Sequence, residues 1–359
     1  MLNIDVSSLI RSKIDNEGPI TIREFLNHVL KVQNEHYSVI SSVKRNKPVE
    51  AFIFREILAD WCINFWEANK KPKNLKVIIF SPKNGDLIAT ILTQKNAEFV
   101  ASISIYIVEP NSYFEKLQKQ SLKNHSNKIA WVDDFEKIPN DAPSITIAKK
   151  FFSSLPIDQY TRKKGEWLVN VVDLGPSRLH FCISHVNKLN DNISQYLDSR
   201  YSHIQDGGII ELHDEATMLL KKILYPINKF GGCVLLVDYG YIEHKERPFI
   251  STLQAINNKR WSPIFSRLGR NFLSAHLNFS NIKEIIELSG LQVHGPIAQK
   301  DFLSNMKIEE KKAENLRMLP EYKHGDILAE HENLTSPDRL GDLFKVMSIC
   351  NKSSSVAGF

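Results

Sequence analysis

The sequence predicts an α/β fold built on a mostly parallel sheet. Continuous apolar runs of strand length recur at Leu75–Phe80, Ile103–Val108 and Ile129–Val132, and again at 144–148 and 232–237. Helical patterns separate several of them, as expected of a sheet covered on both faces. The chain has 359 residues, 42% hydrophobic and 24% charged. That composition is globular, and the length supports a large core and about two units of roughly 150 residues each.

In chain order, residues 2–33 read as two helices broken at Gly18-Pro19, with Thr21 and Glu24 at capping-box spacing. Residues 50–68 form a helix whose Phe52, Ile53, Ile57, Trp61, Phe65 and Trp66 lie largely on one side. Lys70-Lys71-Pro72-Lys73-Asn74 breaks it, and the first apolar strand follows. Ser81-Pro82-Lys83-Asn84-Gly85 is a loop, residues 86–93 start a helix, and the second strand closes on Glu109-Pro110-Asn111. Residues 112–122 are helical. Residues 167–172 and 179–183 alternate around Gly175-Pro176 and predict a β-hairpin excursion. Residues 214–229 return as a helix, 241–275 are loop-rich with scattered Arg, Lys and Asn, and 280–289 and 298–317 are helical. Residues 343–349 give a terminal strand, and 353–359 are expected to fray. These readings divide the chain into an N-terminal helical segment (1–70), an α/β core (71–156 and 230–350), an inserted substrate- or partner-side region (157–229) and a flexible tail (351–359).

Composition excludes several classes. With 46 Lys plus Arg against 41 Asp plus Glu, the net charge of +5 is too mild to argue for a nucleic-acid partner. No run of 18 apolar residues predicts a membrane span. The four cysteines, Cys62, Cys182, Cys233 and Cys350, are far apart among apolar neighbours, which fits reduced thiols rather than a disulfide framework or zinc ribbon. His180 and His185 have the wrong spacing for a metal pair on a strand, and no metal is expected. Lys311-Lys312 among Glu309, Glu310 and Glu314 reads as a solvated helix face. Met1 to Val6 show no basic region followed by an apolar stretch, so a cytoplasmic protein is expected.

Ligands of parallel sheets bind beyond the carboxyl ends of the strands, which draws attention to Ser81–Gly85, Glu109, Asp133 and residues 149–152. The loop holds one glycine, Gly85, whereas a dinucleotide fingerprint needs several, so by spacing alone it is an ordinary strand-to-helix turn. Glu109, ending the second strand, is placed either to accept the hydroxyls of a ribose or to be solvated.

A longer series of residues resembles a family. Gly18-Pro19-Ile20, Glu24-Phe25, Val108-Glu109, Trp131 with Asp133, Phe151-Phe152 with Leu155-Pro156, and Gly207 with Glu211 fall in order. Asp238-Tyr239-Gly240, Thr252-Leu253, Ala275-His276 with Phe279, Gln299 with Phe302-Leu303, and Gly341 with Leu343-Phe344-Lys345-Val346 continue it. This order resembles the MidA-like family of S-adenosylmethionine-dependent methyltransferases over about the whole chain. The resemblance implies a class I methyltransferase, Rossmann-like sheet with N-terminal helices and a hairpin or helical insertion. It implies S-adenosylmethionine as cofactor, a protein arginine as target and, from mitochondrial relatives, a link to respiratory complex I assembly. It places Ser81, Pro82, Gly85, Glu109 and Asp133 at the cofactor, Asp133 toward an adenine amino group. Phe151, Phe152 and His276 fall on the substrate side. No catalytic residue is assigned.

The chain departs from the family where the cofactor binds. The family's Glu-Leu-Gly-Pro-Gly-x-Gly stands here as Ile79-Phe80-Ser81-Pro82-Lys83-Asn84-Gly85. Its Pro-Glu-Ile-Ser is Pro48-Val49-Glu50-Ala51, and its Asn-Glu-Phe-Phe-Asp is Lys149-Lys150-Phe151-Phe152-Ser153. The two acids of Asp-Leu-Thr-Ala-His-Val-Asp-Phe are replaced by Phe272 and Asn278. S-adenosylmethionine carries a sulfonium and an ammonium, so lost carboxylates and a nearby Lys83 predict weak affinity. Three classes stay open: an active protein methyltransferase, a catalytically inactive pseudoenzyme acting through a protein partner, and a fold that binds an anionic nucleotide through Lys83 and Lys149. A homodimer is compatible with each.

Overall fold

The computed structural model describes residues 5–40, 52–187, 189–243, 249–257, 260–352 and 354–359. The Pro48–Ala51 motif lies outside them. The chain divides into two compact units.

One unit draws on Lys44–Ser153, Leu219–Glu243 and Leu277–Phe359. Its sheet contains β1 (Leu75–Phe80), β2 (Ile103–Val108), β3 (Ile129–Val132), β4 (Ser144–Lys149), β5 (Gly232–Tyr241), β6 (Gln292–Ala298) and β7 (Phe344–Cys350). The order across the sheet is β6-β7-β5-β4-β1-β2-β3. Strands β1 to β5 are parallel, and β7 runs antiparallel between β5 and β6. The short segment Leu277–Asn278 adds parallel to the end of β5. This is the class I methyltransferase arrangement expected.

The chain moves outward from β1 to β3 and then returns to β1's other side as β4, so the topology reverses between β1 and β4. Such a reversal opens a crevice at the carboxyl edge. The register makes that edge even: Phe80 pairs with Val108 and Ala148, Val108 with Val132, and Lys149 with Val237. Ser81, Glu109, Asp133 and Lys150 therefore leave the sheet along one line, level with Asp238 of β5, which runs on beside β7.

The helix Phe52–Ala68 buries residues on most of its circumference, Trp61 and Trp66 included, in the core of this sheet. Its first amides are capped from far along the chain, because the Glu330 carboxylate accepts from Phe52 N at 2.7 Å and Phe54 N at 3.2 Å. Glu330 belongs to the helix His324–Thr335, which sequence periodicity did not reveal. The helix expected over 298–317 is two, Gln299–Asn305 and Ile308–Met318, separated at Lys307 with φ of 60°. The tail expected to fray is instead docked. Trp61 Nε1 donates to Ala357 O at 3.1 Å, Asn305 Nδ2 donates to Gly358 O at 3.2 Å, and the Phe359 ring lies 5.6 Å from that of Phe302.

The other unit draws on Met1–Val43, Ser154–Met218 and His244–His276. The helices Val6–Glu17 and Ile22–Ile40 flank Gly18-Pro19 as expected. The capping box forms: Thr21 N donates to Glu24 Oε2 at 2.8 Å, and Glu24 N donates to Thr21 Oγ1 at 3.2 Å. The hairpin forms as well, from Glu166–Leu174 and Phe181–Val186. Its sheet also contains Ile20–Thr21, Asp158–Lys163 and Ile209–Leu212. The region expected to be loop-rich carries a three-stranded sheet of Gln254–Asn257, Arg260–Ser262 and Phe272–Ser274.

Candidate functional site

The loop after β1 keeps a glycine-type backbone although two of its three glycine positions are lost. Ser81 has φ of 43°, Lys83 of 55° and Gly85 of 86°. Left-handed backbone costs an L-residue roughly 1–2 kcal/mol, so the surroundings must hold this turn. They do: Ser81 N donates to Val108 O at 2.9 Å, Gln118 Nε2 to Lys83 O at 2.8 Å, and Ser121 Oγ to Asn84 O at 2.8 Å. At Gly85 a Cβ would also lie 2.9 Å from Leu122 Cδ1, so both space and φ demand glycine there. Pro82 is buried between these positions, while the Lys83 side chain is exposed. The like-charge penalty expected from Lys83 is therefore reduced by solvent.

Glu109 is 4% exposed at the end of β2. Its Oε1 accepts from Asn111 N and its Oε2 from Gln118 Nε2, both at 3.1 Å. Burial pushes the carboxyl up to about 7, against the pull of these two donors. A carboxylate offers about four acceptor positions, so each oxygen keeps capacity for one more donor. The adjacent hydroxyls of a ribose match that pair.

Gln118 ties the site together. Fully buried on the helix Ser112–Ser121, it contacts Lys83 O and Glu109, and its Oε1 accepts from Trp131 Nε1 at 3.2 Å. One amide thus links the ends of β1, β2 and β3. Sequence reading passed over it, because nothing in a polar residue's identity announces burial. The buried Asn84 Oδ1, in the loop itself, has no hydrogen-bond partner among the described residues. That acceptor, the open capacity of Glu109 and the glycine-type loop fit the nucleoside half of S-adenosylmethionine.

The other expected residues divide. Asp133 is exposed, and Lys137 Nζ at 2.6 Å holds its carboxyl below the usual range. Phe151 packs on Phe80 with centroids 4.7 Å apart, and Phe152 is buried behind it. Lys149 Nζ lies 4.8 Å from the Phe54 ring, and Lys150 Nζ lies 4.8 Å from the Phe344 ring. Asp238, buried in β5, accepts from Ser153 N at 3.0 Å and Tyr239 N at 2.9 Å, and burial raises it to about 6.

His276 belongs to the other unit. Its backbone N donates to Thr252 Oγ1 at 2.8 Å, and Thr252 bonds through both N and Oγ1 to the Glu211 carboxylate. Gln159 Nε2 donates to the same carboxylate at 2.7 Å. The Gly207–Glu211, Thr252 and Ala275-His276 motifs thus meet in one hydrogen-bonded array. His213, two residues after Glu211, is buried with its Nε2 unpaired among the described residues, and burial lowers it to about 4.

The sequence model of a family described as "Putative S-adenosyl-L-methionine-dependent methyltransferase" matches residues 57–297, about two thirds of the chain. The chain is similar to the zebrafish (Danio rerio) protein arginine methyltransferase NDUFAF7, mitochondrial: 26% identity, covering 98% of this chain and 88% of the relative. Its human counterpart (Homo sapiens) is 24% identical over 94% of this chain and 81% of its own length. Two crystal structures from Burkholderia thailandensis share the fold. An uncharacterised protein has TM-score 0.81 at 19% identity, and a protein bound to S-adenosyl-homocysteine has TM-score 0.78 at 17% identity; each alignment covers 98% of this chain and 93% of the other. Motif order, strand order and family match agree: the chain belongs to the MidA-like family of S-adenosylmethionine-dependent methyltransferases.

Proposed function

We propose that this chain binds S-adenosylmethionine at the carboxyl edge of β1 to β3 and transfers its methyl group to a protein arginine. The observation that carries the reading is the loop at Ser81–Gly85. It keeps left-handed backbone at all three family glycine positions although serine and lysine oppose it at two. A strained conformation held by its neighbours points to a use for the shape. The arginine target rests on the relatives, which are protein arginine methyltransferases by name.

S-adenosylmethionine, when bound, supplies an electrophilic methyl group on sulfur. The chain's own contribution begins with Glu109, whose remaining acceptor positions suit two ribose hydroxyls, and with Gln118, which fixes Glu109 against the loop. Holding the donor in one place is itself a large part of methyl-transfer catalysis. At the end of β1 the rings of Phe135 and Phe151 pack against Phe80, with Phe80 and Phe135 buried and Phe151 partly so.

A second reading, partner binding without turnover, is favoured by Ile79 and Ser153 standing at family acid positions. Incubation with S-adenosylmethionine labelled in the methyl group decides between them. The proposal expects label in methylarginine after hydrolysis of protein from the same cell, lost with Glu109→Ala. Label absent while S-adenosyl-homocysteine binds would support the second reading. The four free thiols suit a reducing compartment. The cytoplasm is kept as part of the proposal, and cell fractionation tests it against the mitochondrial location in the relatives' names.

A further inference from the structure

Arg55 stands in the first turn of the helix Phe52–Ala68, and its side chain is only 20% exposed. Among the described residues its guanidinium makes no hydrogen bond, and its Nε is buried without a partner. A guanidinium is a charged fork of N–H donors, and one so far from water is ordinarily hydrogen-bonded. Arg55 is held by other means. Its Cζ lies 4.5 Å from the centre of the Phe52 ring, and its Nη1 lies 3.6 Å from Asp86 Oδ2, close enough for an ion pair but too long for a hydrogen bond. The Glu330 carboxylate also senses this charge, and it is engaged with Phe52 N and Phe54 N. Asp86 directly follows Gly85. Its Oδ2 accepts from Asn84 Nδ2 at 2.7 Å, which fixes the carboxylate to the loop, and its side chain is 35% exposed. Among the described residues Asp86 Oδ1 accepts no hydrogen bond. An unused donor fork and a partly open carboxylate thus stand side by side against the loop Ser81–Gly85, within one unit.

We propose that this pair receives the amino-acid end of the cofactor: Arg55 takes the α-carboxylate in its fork, and Asp86 takes the ammonium. Glu109 serves the ribose and this pair the other end, so the assignment rests on the cofactor reading above. The opposite charges of the pair match those of the ligand, and a guanidinium fork fits a carboxylate through two parallel hydrogen bonds. Asp86, one residue past the degraded motif, returns a carboxylate to the loop where Ile79 stands at the family's glutamate position.

Titration calorimetry of the full chain compares S-adenosyl-homocysteine, its analogue without the α-carboxylate, methylthioadenosine, which lacks the amino-acid end, and ATP. Wild type should bind S-adenosyl-homocysteine about tenfold or more tighter than either truncated ligand. Arg55→Gln should weaken S-adenosyl-homocysteine about tenfold or more and leave the decarboxylated analogue within about twofold. Asp86→Asn should weaken both amine-bearing ligands about fivefold or more and leave methylthioadenosine unchanged. Melting temperatures show whether the variants fold, and the wild-type series reads the proposal without them. Equal wild-type affinity for S-adenosyl-homocysteine and methylthioadenosine would overturn the proposal while the nucleoside site stands. Equal weakening of every adenosine ligand by Arg55→Gln would overturn it too, since Arg55 would then only brace the loop. ATP bound tighter than S-adenosyl-homocysteine, and released by Arg55→Gln, would give Arg55 to a phosphate instead. Silence with every ligand would overturn both this proposal and the cofactor reading.

Discussion

Replacing Gln118 by Leu tests the linkage among the three strand ends. Leu has nearly the volume of Gln but none of its polar atoms, so packing is largely kept while three hydrogen bonds go. Lys83 O lies on an exposed residue and can rehydrate, which limits that loss to about 0.5–1 kcal/mol. Trp131 Nε1 loses its acceptor at about 1 kcal/mol, and the buried Glu109 carboxylate loses a donor worth roughly 1.5–3 kcal/mol. Burying apolar Leu atoms returns about 1 kcal/mol, leaving a net loss of roughly 2–4 kcal/mol. At about 2–4 °C per kcal/mol, Tm should fall by roughly 5–15 °C. The pH dependence identifies the cause. The Glu109 carboxyl stands at about 7 in the folded chain, above its unfolded value of 4.5. Its stabilising contribution is therefore complete below pH 4.5 and lost as pH rises through 7. Removing the Gln118 donor raises the folded value further, so the Tm deficit should be larger at pH 8 than at pH 5.5. Differential scanning calorimetry at both values measures it. A Tm within 1 °C of wild type, or a deficit independent of pH, would refute the linkage.

Three further predictions follow from the same geometry. Ser81→Gly and Lys83→Gly should each raise Tm by about 1–3 °C, since relief of left-handed strain outweighs the extra freedom of glycine in the unfolded chain; a thermal shift in the opposite direction means that the side chains contribute more than the backbone costs. Affinity for S-adenosyl-homocysteine should rise as pH goes from 6 to 8, because ionised Glu109 accepts hydroxyl donors better than the protonated form, and this slope should vanish in Glu109→Ala. Phe359→Ala should lower Tm by an amount equivalent to about 1–2 kcal/mol, because its ring packs on Phe302 and His294; an unchanged Tm would mean that the docked tail adds nothing to stability.

The sheet was legible because its strands read as unbroken apolar runs, whether buried throughout as β1 is or half-covered at the edge as β3 is: β1, β2 and β3 have the bounds that the runs suggest. Thr21 and Glu24 were legible because a capping box is a local motif whose spacing fixes the contact. The strands at 254–274 were not, since runs of three or four residues interrupted by Asn and Arg carry no clear period. The break at Lys307 was hidden because no glycine or proline marks it, and the docking of Phe359 because it depends on partners far away in sequence. In the site, family order reached Glu109 and the loop, but Gln118 owes its role to burial on an otherwise polar helix. Lys83 was expected to oppose a cationic cofactor, yet its side chain is exposed, so the change in residue type overstated the change in local potential.

Isothermal titration of the chain at pH 8 with S-adenosyl-homocysteine and, separately, with ATP tests most directly whether the β1–β2 edge still receives the nucleoside of a methyl donor. Saturable heat with S-adenosyl-homocysteine, weakened about tenfold or more by Glu109→Ala and exceeding that with ATP, is the result expected. Silence at millimolar S-adenosyl-homocysteine, or tighter binding of ATP, would contradict it.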